Sequence, residues 1–148
     1  MGLWGGKQAS VCVTIKLMSD YVPILLLDFD GVCHSYTSGW KGATIIPDDH
    51  VPGLFEFLEE AKNHFKICIY SSRSKEEGGP EAMMTWFIDQ RKKWREHGGK
   101  PPTDTPLELE FPKDKPAAFL TIDDRCYCFD GRWPSAANLS KFRPWNKR

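Results

Sequence analysis

Apolar residues in this chain fall into short, separate runs, and their spacing predicts alternating strands and helices. Tyr21-Val22-Pro23-Ile24-Leu25-Leu26-Leu27 is a continuous apolar run that reads as a short buried parallel strand over about 22–27. Val51, Leu54, Phe55, Leu58 and Ala61 recur at helical spacing, with a start expected around Pro52, which a first helical turn tolerates. A second apolar run, Phe65-Lys66-Ile67-Cys68-Ile69-Tyr70, predicts another strand and ends in Ser71-Ser72-Arg73-Ser74. From Glu81 to Glu96 the stripe Met83, Trp86, Phe87 and Trp94 again has helical spacing, until His97-Gly98-Gly99-Lys100-Pro101-Pro102 stops it. Leu107 to Phe111 alternates like a short strand, and Ala117 to Ile122 predicts a central one ending at Asp123-Asp124-Arg125. A short helix and an irregular end are expected after Gly131.

Two stretches lie outside this alternation. Residues 1–20 read as a leader or an added edge strand, with Val11 to Leu17 strand-like. Residues 32–47 are polar, aromatic and glycine-containing from His34 to Lys41. Ala43-Thr44-Ile45-Ile46 is expected to form one arm of a small hairpin ending at Pro47. That organisation suggests a flap. Residues 21–148, flap included, read as one α/β domain with a mainly parallel central sheet, too short to carry a large independent cap.

Three apolar strands therefore end in polar groups: Asp28/Asp30, Ser71 and Asp123/Asp124. Parallel pairing with helical crossovers puts all three endings on one rim, the edge where open α/β sheets bind ligands. In Asp28-Phe29-Asp30-Gly31 the two carboxylates converge only if the backbone leaves the strand between them, and Gly31 makes that departure cheap. Converging carboxylates repel unless a cation or shared proton offsets them, which points to Mg²⁺.

Charge and composition narrow the picture a little. The 148 residues hold 20 basic and 20 acidic groups, so net charge supplies no general attraction to nucleic acid or anionic membrane. Local fields remain, at Arg91-Lys92-Lys93 with Arg95 and at Lys147-Arg148. No apolar run is long enough to span a membrane, and no signal-peptide pattern opens the chain. Five cysteines, including the tight Cys126-Tyr127-Cys128, lack zinc spacing and read as reduced thiols of an intracellular protein. Cys33 lies close to the acidic turn, but no nearby pattern supplies it with a base. Neither GxGxxG nor GxxxxGK[ST] occurs, against the common dinucleotide and P-loop sites.

In its ordered set of motifs the sequence resembles the haloacid dehalogenase-like (HAD) superfamily, specifically small Mg²⁺-dependent phosphatases with little or no cap, similar to phage-associated or bacterial members. Asp28-Phe29-Asp30-Gly31 matches the first motif, Ser71 the second, Lys115 the variable third and Asp123-Asp124 the acidic fourth, over roughly 21–130. The resemblance implies a three-layer Rossmann-like fold. It makes Asp28 a nucleophile that forms a phosphoaspartate, and Asp30 a general acid and then base. Ser71 and Lys115 would bind the phosphoryl group, with Lys113 the local alternative to Lys115. Mg²⁺ would be held by Asp28, the main-chain carbonyl of Asp30 and Asp123, while Asp124 would ligate directly, act through water or orient Lys115. Gly31, Ser72 and Arg73 beside the phosphate, and His34 and Trp40 in the flap, are the expected substrate contacts; Arg125 is ambiguous. The substrate would be a phosphorylated small molecule or a nucleic-acid terminus, met in the cytoplasm (a host's, if phage-encoded). Phosphoryl transfer to another hydroxyl, or a catalytically weak phosphate- or partner-binding role, would use the same motifs.

Overall fold

Residues 21–148 are described by a computed structural model; the expected leader strand and Cys12 lie outside the described residues. The first apolar run forms β1, Ile24–Leu27, whose last three residues are buried. The second forms β2, Lys66–Ile69, in parallel register with it, Leu25 opposite Ile67 and Leu27 opposite Ile69. Two shorter strands, β3 at Leu109–Glu110 and β4 at Leu120–Ile122, complete the sheet. Its order is β3-β2-β1-β4, and all the pairings are parallel.

That order places the site. The chain runs outward from β1 through β2 to β3, then returns to the other side of β1 as β4. Strand order therefore reverses between β1 and β4, and it is outside the carboxyl ends of strands at such a reversal that open α/β sheets bind ligands. The Asp28 N–H donates to the Ile122 carbonyl at 2.9 Å, holding those two ends together.

Two helices supply most of the packing. α1, Leu54–Ala61, buries Leu54, Phe55, Leu58 and Ala61 on one face. It starts after Gly53, so Pro52 precedes the helix instead of occupying its first turn. α2, Gly79–Glu96, begins two residues before the expected Glu81 and carries Pro80 in its first turn. A Cβ on Gly79 would lie 2.0 Å from the Arg73 carbonyl oxygen, so only glycine lets α2 approach the turn after β2. Met83, Trp86, Phe87 and Trp94 join Leu25, Leu27, Ile67, Ile69 and the α1 residues in one core cluster. Each such large side chain, fully buried, contributes on the order of 1.5–3 kcal/mol. Beyond β4 a single-turn helix, α3 at Ala136–Leu139, is capped by the Ser135 hydroxyl, and a 3₁₀ turn spans Trp145–Lys147. No helix among the described residues is long and apolar enough to cross a membrane.

The expected hairpin arm at 43–46 is not a strand. Residues 35–49 form turns and coil, closed off at their base by an isolated bridge between His34 and His50. Its carbonyls answer to a different organiser, an arginine from outside the segment.

Candidate functional site

Leaving β1, the chain turns immediately: the Cys33 and His34 amides donate to the Phe29 carbonyl, and the Gly31 amide to the His34 carbonyl. Gly31 sits at φ 88°, and a Cβ there would come within 2.5 Å of an Asp124 carboxylate oxygen. Glycine is thus needed twice, for the left-handed turn and for the carboxylate packed against it.

Asp28, Asp123 and Asp124 converge beyond β1 and β4, each offering a carboxylate oxygen within 4.8 Å of the others. Burial pushes the Asp28 carboxyl up to about 7; the Phe29 N–H partly offsets this, while Asp123, Asp124 and Asp30 add to it. Burial also raises Asp124, against the opposing pull of Arg125. The Asp124 side chain is only 2% exposed, and neither of its oxygens accepts a hydrogen bond. Arg125 Nε stands 3.9 Å away, too far to donate. Orphaned buried carboxylate oxygens are costly, so a partner from outside the chain is expected here. An all-oxygen donor set of this kind suits a hard divalent cation.

Asp30 belongs to a second arrangement. Burial alone would raise its carboxyl, but the His34 ring and the Arg73 guanidinium hold it below the usual carboxylate range. Arg73 donates from Nε to Oδ2 at 2.9 Å and from an Nη to Oδ1 at 3.1 Å. Its other Nη donates to the carbonyls of Gly42 and Ala43 at 2.7 and 2.9 Å, with Ile45 at 3.3 Å. The guanidinium also stacks on Trp40, 4.6 Å from the ring centroid. His34 Nε2 accepts from the Asp48 N–H at 3.1 Å, which leaves the ring proton on Nδ1, donating to Asp30 at 2.8 Å.

Arg73 and His34 are both fully buried. Their polar atoms face Asp30 and the 42–48 segment, so both are taken up by partners within the protein. Trp40 is half exposed over the Arg73 guanidinium and Ser72 is exposed. Ser71 caps the 3₁₀ turn Ser72–Lys75: its Oγ accepts from the Arg73 N–H at 3.0 Å and donates to the Met83 sulfur at 3.6 Å. Lys115 and Lys113 are exposed and form no ion pair among the described residues. Cys33 is buried beneath the turn, its thiol raised by burial and by Asp28 and Asp30, and it donates to the Asp28 carbonyl. That is the setting of a packing residue, not a nucleophile. Cys33, Cys68, Cys126 and Cys128 are free thiols.

One contributor had no sequence signal. Trp145 Nε1 donates to the Gly31 carbonyl at 2.7 Å and Asn146 Nδ2 to the Ser35 carbonyl at 3.2 Å, so the last 3₁₀ turn braces the acidic turn from 114 residues away. An apolar cavity of about 230 Å³, lined by Met84, Phe87, Ile88 and Phe111 among others, includes none of these carboxylates. Set against known proteins, the chain matches no family model, no curated protein and no solved structure.

Proposed function

We propose that the protein is an HAD-like phosphatase with a Rossmann-like domain, hydrolysing phosphomonoesters with Mg²⁺ through a phosphoaspartate on Asp28. The observation that carries this reading is the convergence of Asp28, Asp123 and Asp124 at the strand-order reversal, with both Asp124 oxygens buried and unpaired. Asp28, Asp123 and Asp124, with the Asp30 main-chain carbonyl, would hold the cation. When bound, Mg²⁺ offsets the carboxylate charge and stabilises charge developing on the transferring phosphoryl group.

The chain's own residues do the rest. An Asp28 oxygen attacks phosphorus, and the ester P–O bond breaks with its electron pair going to the departing oxygen. Water then attacks the phosphorus of the acyl phosphate, restoring Asp28 and releasing phosphate. In this reading Asp30 gives a proton to the departing oxygen and, ionised again, takes one from that water; Arg73 and His34 favour the ionised form that the second step needs. Ser71, Ser72 and Lys115 border the phosphoryl position in this reading, and Trp40 faces the leaving group.

The same hold on Asp30 favours a second reading, a catalytically weak phosphate-binding protein. A carboxyl kept ionised does not readily protonate an alkoxide leaving group. Aryl phosphates, whose leaving groups need no proton, separate the two. A Mg²⁺-dependent screen of mononucleotides, sugar phosphates, phosphorylated nucleic-acid ends and aryl phosphates tests both, with Asp28→Asn as the control. Turnover of alkyl esters, lost in Asp28→Asn and reduced at least ~10²-fold in Asp30→Asn, supports the hydrolase. Turnover of aryl esters alone supports the weaker reading, and wild-type activity in Asp28→Asn removes the phosphoaspartate.

A further inference from the structure

The last 24 residues concentrate charge that the whole chain does not have. Residues 125–148 hold six basic groups, Arg125, Arg132, Lys141, Arg143, Lys147 and Arg148, against one acid, Asp130. Since the chain is neutral, the remainder carries a matching negative excess. Exposed aromatics gather in the same segment: five of the nine among the described residues are Tyr127, Phe129, Trp133, Phe142 and Trp145. Trp133 is 88% exposed, well beyond what packing in a small domain requires. A bend at Gly131-Arg132 precedes it, where Arg132 donates to the exposed Asp130 carboxylate from both its backbone N–H and its guanidinium, and Phe129 packs on Trp133 at 5.0 Å between centroids.

Both ends of this segment are fixed at the candidate site. It begins directly after Asp123-Asp124, and near its end Trp145 and Asn146 bond to Gly31 and Ser35 on the other acidic turn. A ligand lying along the segment therefore has its end close to the carboxylate rim.

We propose that residues 125–148 form a docking surface for single-stranded nucleic acid, which delivers a terminal phosphate to the Asp28 site. Interleaved cations and ring faces match a strand that offers phosphates and unstacked bases together. An acidic polypeptide supplies the charge but few planar rings, and a duplex keeps its bases stacked internally. The proposal rests on the phosphatase reading only for the fate of the end; the binding itself does not.

The test is fluorescence anisotropy on the full chain carrying Asp28→Asn, so that no turnover intrudes, with a labelled single strand of about twelve nucleotides, the scale of such sites. Binding is expected, with log Kd rising against log salt at a slope of about 2–3, as for three or four neutralised phosphates. Adding Arg132→Gln and Trp133→Ala should weaken it by about tenfold or more, and a duplex of the same sequence should bind less tightly than the single strand. Unchanged affinity in that variant, with its fold verified by circular dichroism, overturns the proposal. Equal binding of the duplex, or equally effective competition by poly-glutamate, overturns it in favour of charge alone. Self-association abolished by Trp133→Ala, without binding, reassigns the surface to contacts between copies. Failure of the phosphatase reading shows separately, as a wild-type protein that binds the strand and cleaves no ester.

Discussion

Asp28→Asn should stabilise the protein while abolishing its proposed chemistry, provided divalent ions are absent. The Asp28 carboxyl is pushed up to about 7 in the folded chain, against 3.8 as its ordinary value. Between those values the native state holds a proton that the unfolded chain releases. Stability conferred at low pH is therefore lost progressively as pH rises from about 4 to 7, and the full cost applies above 7. At 1.36 kcal/mol per pH unit the interval amounts to about 4 kcal/mol, and local relaxation makes about 2–4 kcal/mol a fair expectation at pH 8. Asparagine keeps the shape, carries no charge, and can donate its amide hydrogens to Asp123 or Asp124. For a domain of this size the gain corresponds to roughly 5–12 °C in Tm. Thermal melts in EDTA at several pH values from 4 to 8.5 measure it, with the difference between variant and wild type growing as pH rises. Saturating Mg²⁺ should shrink or reverse that difference, because the cation offsets the repulsion only where the charge remains. An Asp28→Asn protein that melts no higher than wild type at pH 8 in EDTA would refute the electrostatic account of the site.

Arg73→Ala leaves the Asp30 charge buried and the Gly42 and Ala43 carbonyls without their donor, so it should cost about 3–5 kcal/mol in urea unfolding. Arg73→Lys keeps the charge but loses the planar fork and should recover less than half of that. Gly31→Ala meets both the φ of 88° and the Asp124 carboxylate, so the folded variant should bind Mg²⁺ at least about tenfold more weakly by calorimetry, a loss of about 1.4 kcal/mol. Chelation should suppress ester hydrolysis reversibly, and Ca²⁺, larger and less strict in geometry, should restore far less activity than Mg²⁺; full activity in EDTA would remove the cation from the reading.

Much of the framework was legible because it depends on local pattern. Leu25-Leu26-Leu27 and Ile67-Cys68-Ile69 are apolar on both faces, as central parallel strands must be, and acidic residues at strand ends mark the rim without any knowledge of packing. What periodicity cannot report is which side chain consumes which donor. Arg73 follows a strand end as a candidate substrate contact would, yet its partners come from 28–43 residues earlier in the chain. The expected hairpin arm at 43–46 gives way to coil whose Ala43 and Ile45 carbonyls turn toward a guanidinium. Ser71 kept its place at the strand end, where capping a 3₁₀ turn occupies the hydroxyl. The brace from Trp145 links positions too distant for any pattern to connect.

That brace sets an order of assembly. A chain emerging from the ribosome can form β1, α1 and β2 from its first half. Its acidic turn gains the indole donor to Gly31 only after residue 145 has cleared the exit tunnel. The carboxylates of β1 and β4 are likewise brought together late, once Leu120–Ile122 has paired beside β1. Concentrating negative charge at the site thus depends on the pairing of β4 beside β1 and not on β1, α1 and β2 alone. A chain in which that pairing is not yet made is spared the repulsion that the folded molecule carries at Asp28, Asp123 and Asp124.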